Sequence, residues 1–162
     1  MEGRCVVKQI VQSLLELLSE KELHAITITM IVQKAQVGRA SFYRNFSSKE
    51  DVIRQHMAGL LKEWGEAYEV LGRLDELLPS LLRHFYKHRD FYLLLYKRGL
   101  SHYILDAVRG AMDFSGKSDA EVYSLNWFAG GLYGVVTEWL RRGMEGPPEE
   151  VKRILQAGQA ES

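Results

Sequence analysis

One stretch constrains this chain more than any other: Val37 to Glu50, which reads VGRASFYRNFSSKE. It carries Arg39, Arg44 and Lys49 with no acid before Glu50, and sets aromatic and small polar residues between the charges. Phe42 and Phe46 are four apart, so on a helix they share one face and can be buried together. The other side then presents Arg39 beside Tyr43, Ala40 beside Arg44, and Ser41 beside Asn45. A short helix with two apolar anchors and such a row suits double-stranded DNA. Arg reads guanine edges bidentately, Asn reads adenine, and an Ala methyl touches thymine. Ser48 is a good cap for a following helix, and Lys49 just after it is in reach of a phosphate.

The residues upstream supply the other half of a helix-turn-helix. Ile28, Ile31 and Val32 make an apolar face, Thr27 can cap it, and Ala35-Gln36-Val37-Gly38 forms a tight turn. This order resembles the tetracycline-repressor (TetR) family of bacterial regulators. Thr27, Ile31, Ala35, Val37, Ser41, Phe42, Tyr43, Phe46, Ser48, Lys49 and Glu50 follow the family pattern. Gln36 replaces its Gly, Gly38 its Ser cap, Ala40 its second Gly, and Asn45 a Tyr or His. The resemblance implies DNA contacts at Thr27, Thr29, Gly38, Arg39, Ala40, Ser41, Tyr43, Arg44, Asn45 and Lys49. It further implies a transcriptional regulator, in the family's usual case a repressor. Such a protein acts as a homodimer on a palindromic operator and is switched by a small molecule held in its C-terminal domain.

A chain of 162 residues with 46% apolar and 26% charged side chains is ordinary for a globular protein of one or two small domains. Its charge is balanced, 21 basic against 21 acidic, which at first argues against nucleic acid. The distribution answers that: residues 23–49 hold four basic residues and no acid, and a local basic surface suffices for phosphate contact. No apolar run approaches the roughly 18 residues of a membrane span. The opening MEGRCVVKQ lacks a signal-peptide core, and Cys5 is the one cysteine, so a reducing cytoplasmic location is expected.

Helical spacing runs through the rest, giving an all-α expectation. A first helix spans about Arg4 to Ser19, a second Ile28 to Lys34 and a third Arg39 to Phe46, which together make a helix-turn-helix bundle over residues 1–47. A long fourth helix from Ser48 toward Gly72 opens a C-terminal helical domain, 48–162, for effector binding and dimerisation. Helix five follows around Leu77–Phe85, helix six is capped by Asp90, helix seven starts at Ser101, helix eight spans about Ala120–Arg142, and a last helix runs from Pro148 to about Gln156.

Fourteen of the 17 aromatic residues follow Phe46. Trp64, Tyr68, Phe85, Tyr92, Tyr96, Tyr103, Tyr123, Trp127 and Phe128 are expected either to line an effector pocket or to fill the core. On helix eight, Gly130, Gly131 and Gly134 lie near Trp127, Val135 and Trp139, the pattern of a helix–helix seam and here a dimer interface. His84 and His88 have metal-pair spacing, but no third ligand accompanies them and Arg83, Lys87 and Arg89 crowd the stretch, so they read as surface histidines. No catalytic constellation, metal site or cofactor motif is found. Two functions remain: a dimeric DNA-binding regulator switched by a ligand, or a co-regulator of the same fold acting mainly through another protein.

Overall fold

The computed structural model of the chain describes residues 2–71 and 74–160. Nine α-helices and no strand occur among the described residues. They are α1 (Glu2–Glu20), α2 (Ile28–Ala35), α3 (Arg39–Asn45), α4 (Lys49–Leu71), α5 (Leu77–Lys87), α6 (Arg89–Lys97), α7 (His102–Gly110), α8 (Asp119–Arg141) and α9 (Pro148–Ala160). Short 3-10 turns at Leu23–Ala25 and Leu74–Glu76 precede α2 and α5. Pro79 lies in the first turn of α5 and Pro148 opens α9, both positions where a missing N–H costs no helical hydrogen bond.

The chain divides into two compact units between Gly59 and Leu60, not at residue 47 as the helix boundaries suggested. The first turns of α4 belong to the N-terminal unit: Val52 and Ile53 are buried, and Lys49 and Gln55 are hydrogen-bonded to residues of that unit. Here α1 packs on α2 and α3, and α2 packs on α3, around Ile10, Leu14, Leu18, Ile31, Phe42 and Phe46.

In the C-terminal unit α5 packs on α6 and α9, while α8 packs on α6 and α7. Its core holds Leu82, Phe85, Tyr92, Leu95, Ile104 and, along one side of α8, Ala129, Leu132, Val136 and Leu140. Among the boundaries that differ from the sequence reading, two have a local cause. Helix α6 starts at Arg89 with His88 in the cap position, leaving Asp90 in the first turn, where its charge suits the helix dipole. Helix α8 starts one residue early because Ser118 and Glu121 form a reciprocal capping box. The proposed stop of α4 at Gly72 lies outside the described residues.

Candidate nucleic-acid interface

The helix-turn-helix is assembled by its caps. Thr27 Oγ1 accepts the Met30 N–H at 3.2 Å and starts α2. Helix α2 ends on Gln36 in the left-handed region (φ 54°), with Gln36 N–H donating to Gln33 O and Val37 N–H to Val32 O, a Schellman closure. The extended Gly38 then starts α3, its carbonyl accepting from the N–H groups of Ser41 and Phe42. Phe42 and Phe46 are both buried with ring centroids 5.9 Å apart, as their spacing predicts.

That anchoring turns Arg39, Ala40, Tyr43 and Arg44 to solvent. Arg44 Nη2 donates to Ser41 Oγ at 2.7 Å, and the Arg39 guanidinium lies 5.8 Å from the Tyr43 ring centroid. Both cations are therefore supported along the helix without a carboxylate partner, which leaves their charge available to a polyanion. Thr27 and Thr29 are exposed at the start of α2.

Two expected contacts are used otherwise. Asn45 is half-buried and its amide N–H donates back to Ser41 O at 2.7 Å, so it does not stand in the outward row. Lys49 Nζ donates to the carbonyls of Leu23 at 2.7 Å, Ile26 at 2.8 Å and His24 at 3.5 Å, in place of reaching outward for a phosphate. Sequence reasoning also missed the residues that hold the end of α3. Asp51 Oδ2 accepts from Ser47 N–H at 2.8 Å, and Gln55 Nε2 donates to Asn45 O at 3.1 Å. The Ser47 N–H, more than any other group, holds the Asp51 carboxyl below the ordinary carboxylate range. The available signal was Ser48-x-x-Asp51, a helix-start pattern in which Ser48 Oγ accepts the Asp51 N–H at 3.1 Å.

The residues expected to line a C-terminal pocket are brought together only in pairs. Trp64 stacks on Tyr68 at 5.4 Å and donates to Ser80 Oγ at 3.2 Å. Phe85 and Tyr92 are fully buried against each other, 4.8 Å between centroids, and Tyr103 is buried beside His102. Tyr96 and Phe128 are half-buried. Tyr123 and Trp127 are instead 77% and 80% exposed. Helix α8 presents its core positions on one side and these two rings on the other, so they share no cavity with Phe85.

His84 corrects the surface-histidine reading. It is 6% exposed, with Nε2 and Tyr92 OH 2.9 Å apart, and burial, then the nearby His88 and Lys87, lower its pKa to about 4. Burial likewise raises the Tyr92 hydroxyl well above a free phenol. No cluster of three potential metal ligands occurs among the described residues.

The residues assigned to a dimer seam also separate. Trp127, Gly130, Gly131 and Gly134 are exposed along one strip of α8, with Val135 half-buried at its edge. A Cβ built on any of these three glycines meets nothing within 4 Å, so none of the described residues makes a close approach there. Trp139 is buried: its ring stacks on Tyr86 at 5.6 Å, and its Nε1 donates to Glu145 O at 3.3 Å. It belongs to the subunit's own core. Between α8 and α9 runs an apolar groove of Gly134, Val135, Trp139, Val151, Ile154 and Leu155, rimmed by the bonded pair Glu138 and Arg142.

A helix-turn-helix with an unpaired basic row, joined in one chain to a helical unit, defines a class of bacterial regulator. Residues 10–55 match the family described as bacterial regulatory proteins, tetR family, and residues 73–157 match a transcriptional regulator C-terminal region. The chain belongs to the TetR family, whose members are regulators and not enzymes. It is similar to the HTH-type transcriptional regulator YxbF of Bacillus subtilis (strain 168), with 30% identity over 103 residues, 58% of this chain. That match spans 27% of the length of the relative. Among solved structures, Lin0861 from Listeria innocua is similar over 99% of this chain and 93% of its own, with TM-score 0.79 and 16% identity. The dihydroxyacetone kinase operon activator DhaS is similar over 96% and 95%, with TM-score 0.56 and 19% identity. At these identities the two solved structures speak for the fold. No helix among the described residues is long and apolar enough to cross a membrane.

Proposed function

We propose that this chain is a sequence-specific DNA-binding transcriptional regulator that works as a homodimer and lays α3 in the major groove. The observation that carries the reading is the outward row of Arg39, Ala40, Tyr43 and Arg44, basic and free of carboxylates, on a helix pinned from behind by Phe42 and Phe46. Arg39 heads that row at the N-terminal end of α3, the end from which a recognition helix meets base edges.

Dimerisation is supported by the other exposed face. Trp127, Tyr123 and Ile154 are large apolar side chains left in water, beside glycines that no described residue of the same chain approaches. A second copy covering α8 and α9 removes that exposure and pairs two copies of α3 for a two-fold operator.

An effector bound in the C-terminal unit completes the reading. Its polar anchor is the His84–Tyr92 pair, set in an aromatic surround. The family's usual role makes a repressor the first sign to test.

The test is binding of the full chain to DNA from its own upstream region, with all four bases tried at each operator position. Arg39→Ala should cost about 1–3 kcal/mol on the preferred site and relax the preference at one position per half-site. An unchanged profile would reduce Arg39 to a positioning role. No binding to any duplex would favour the second reading, a co-regulator that offers the Trp127 face to another protein.

A further inference from the structure

We propose that Lys49 and Asp51 make the first turn of α4 a two-sided joint that fixes α2 and α3 to each other, with Lys49 a positioning residue and not a DNA contact. The proposal rests on the DNA-binding reading only for its readout in affinity. The joint itself lies wholly within the N-terminal unit.

An ammonium has three N–H donors and no acceptor. Those of Lys49 face three converging carbonyls, Leu23 at 2.7 Å, Ile26 at 2.8 Å and His24 at 3.5 Å. All three belong to the 3-10 turn and the residue directly before Thr27, the cap of α2. For Lys49 to reach a phosphate it must abandon them, which costs the partly buried Ile26 carbonyl its ammonium donor and leaves the Leu23 carbonyl only the Ile26 N–H at 3.1 Å.

Asp51 works on the other side. Two residues further along a helix is roughly 200° of rotation, so the two side chains leave α4 in nearly opposite directions. Asp51 Oδ2 accepts from Ser47 N–H at 2.8 Å, just past the end of α3, and from Gln55 Nε2 at 3.0 Å. Gln55 in turn donates to Asn45 O at 3.1 Å, the last residue of α3. One helical turn thus grips the entry to α2 with a cation and the exit of α3 with an anion. A displacement of that turn carries both helices together and preserves the angle between them, on which fitting a groove depends.

The experiment uses the full chain as Lys49→Met and Lys49→Arg, with hydrogen exchange at the Met30 and Ile31 amides and DNA affinity followed against salt. Lys49→Met should speed exchange at those amides by at least about tenfold, since charge-assisted bonds are lost. Its salt slope should match the wild type, because no phosphate contact goes with it. Lys49→Arg should not restore slow exchange, since a planar guanidinium cannot meet three converging carbonyls as an ammonium does. A slope lower by about one unit with exchange unchanged, and affinity restored by Arg, would overturn the proposal. If Lys49→Met does not fold, Lys49→Arg decides alone: faster exchange at full slope supports the joint, and unchanged exchange rejects it. If the wild type binds no DNA, the functional reading fails while the exchange comparison still judges the joint.

Discussion

The outward faces of α3 and α8 differ in kind. On α3 the exposed groups are Arg39, Tyr43 and Arg44, each touching a neighbour one turn away. On α8 they are Tyr123 and Trp127, followed by Gly130, Gly131 and Gly134. The first surface keeps its charge hydrated and pre-oriented, as fits a hydrated polyanion. The second leaves large apolar area in water, which is stabilised only by a partner that excludes water. The two faces also differ in what lies behind them. The α3 row is backed by two buried phenylalanines 5.9 Å apart, whereas the C-terminal core carries a buried histidine held neutral against a tyrosine.

The largest effects should come from removing the backing. Phe42→Ala and Trp139→Ala should each cost about 3–5 kcal/mol, the usual range for deleting a buried aromatic, but in different units. All three tryptophans follow Gly59, so tryptophan emission reports on the C-terminal unit alone. Phe42→Ala should lower helicity and abolish DNA binding with emission little changed, whereas Trp139→Ala should lower helicity and also shift the emission of the remaining tryptophans. Loss of both signals together in Phe42→Ala would mean that the units unfold as one.

Acid should separate the two cores next. Folded His84 titrates at about 4 against 6.5 unfolded, so between these values the unfolded chain binds more protons. The contribution is complete above pH 6.5 and falls by roughly 3 kcal/mol as pH drops toward 4. His88 shifts in the same direction, again chiefly from burial. Glu138, held at about 2 by hydrogen bonds from Arg141 and then Arg142, is lost only in a lower window. Urea midpoints of tryptophan emission at pH 7 and pH 5 should therefore differ, and His84→Gln should narrow the gap. An equal gap in His84→Gln would place the titration elsewhere.

Trp127→Ala tests the exposed face directly. At 80% exposure the monomer should lose little, within about 0.5 kcal/mol. If a second copy covers the ring, self-association should weaken by about 2 kcal/mol, near 30-fold in dissociation constant. Sedimentation across a concentration series measures it. Unaltered association would remove the dimer from this face and, with it, the contrast between the two surfaces.

How much of this was legible depends on which physics a residue obeys. Thr27 and Ser48 were readable as caps because capping is local, and Phe42 with Phe46 because a four-residue spacing fixes a shared face. The Ser118–Glu121 box was equally local and went unread within a polar turn. Trp127 and Trp139 were assigned to one seam, although 12 residues on a helix is a net rotation of roughly 120°, which already separates an outward ring from an inward one. The burial of His84 was not legible, because the hydroxyl that receives it comes from another helix. Lys49 escaped for the same reason: its carbonyl partners lie more than 20 residues upstream, and only the fold brings them near.

The smallest predicted effect concerns how helices stop in the two units. Helices α2, α6 and α8 all end in the same closure, with the N–H of the residue after a left-handed one returning five residues back: Val37 to Val32, Leu100 to Leu95 and Met144 to Trp139. The left-handed residue in each is Gln36, Gly99 and Gly143 respectively. A side chain in that region strains its Cβ against the backbone by about 1–2 kcal/mol, which glycine avoids. Glycine also gives the unfolded chain more freedom, which returns about 0.4–1 kcal/mol of the gain. Gln36 is exposed, so removing its side chain costs no buried contact. The balance for Gln36→Gly is a stabilisation near 0.5–1 kcal/mol, a few degrees in the melting of a unit this small. Gln36→Ala keeps the Cβ and should give no such gain. Thermal melts followed by helicity at 222 nm, with tryptophan emission as the control for the C-terminal unit, separate the two variants. If Ala stabilises as much as Gly, the benefit comes from losing the amide and not from relieving the backbone, and the Gln36 turn is no more strained than the glycine turns of α6 and α8.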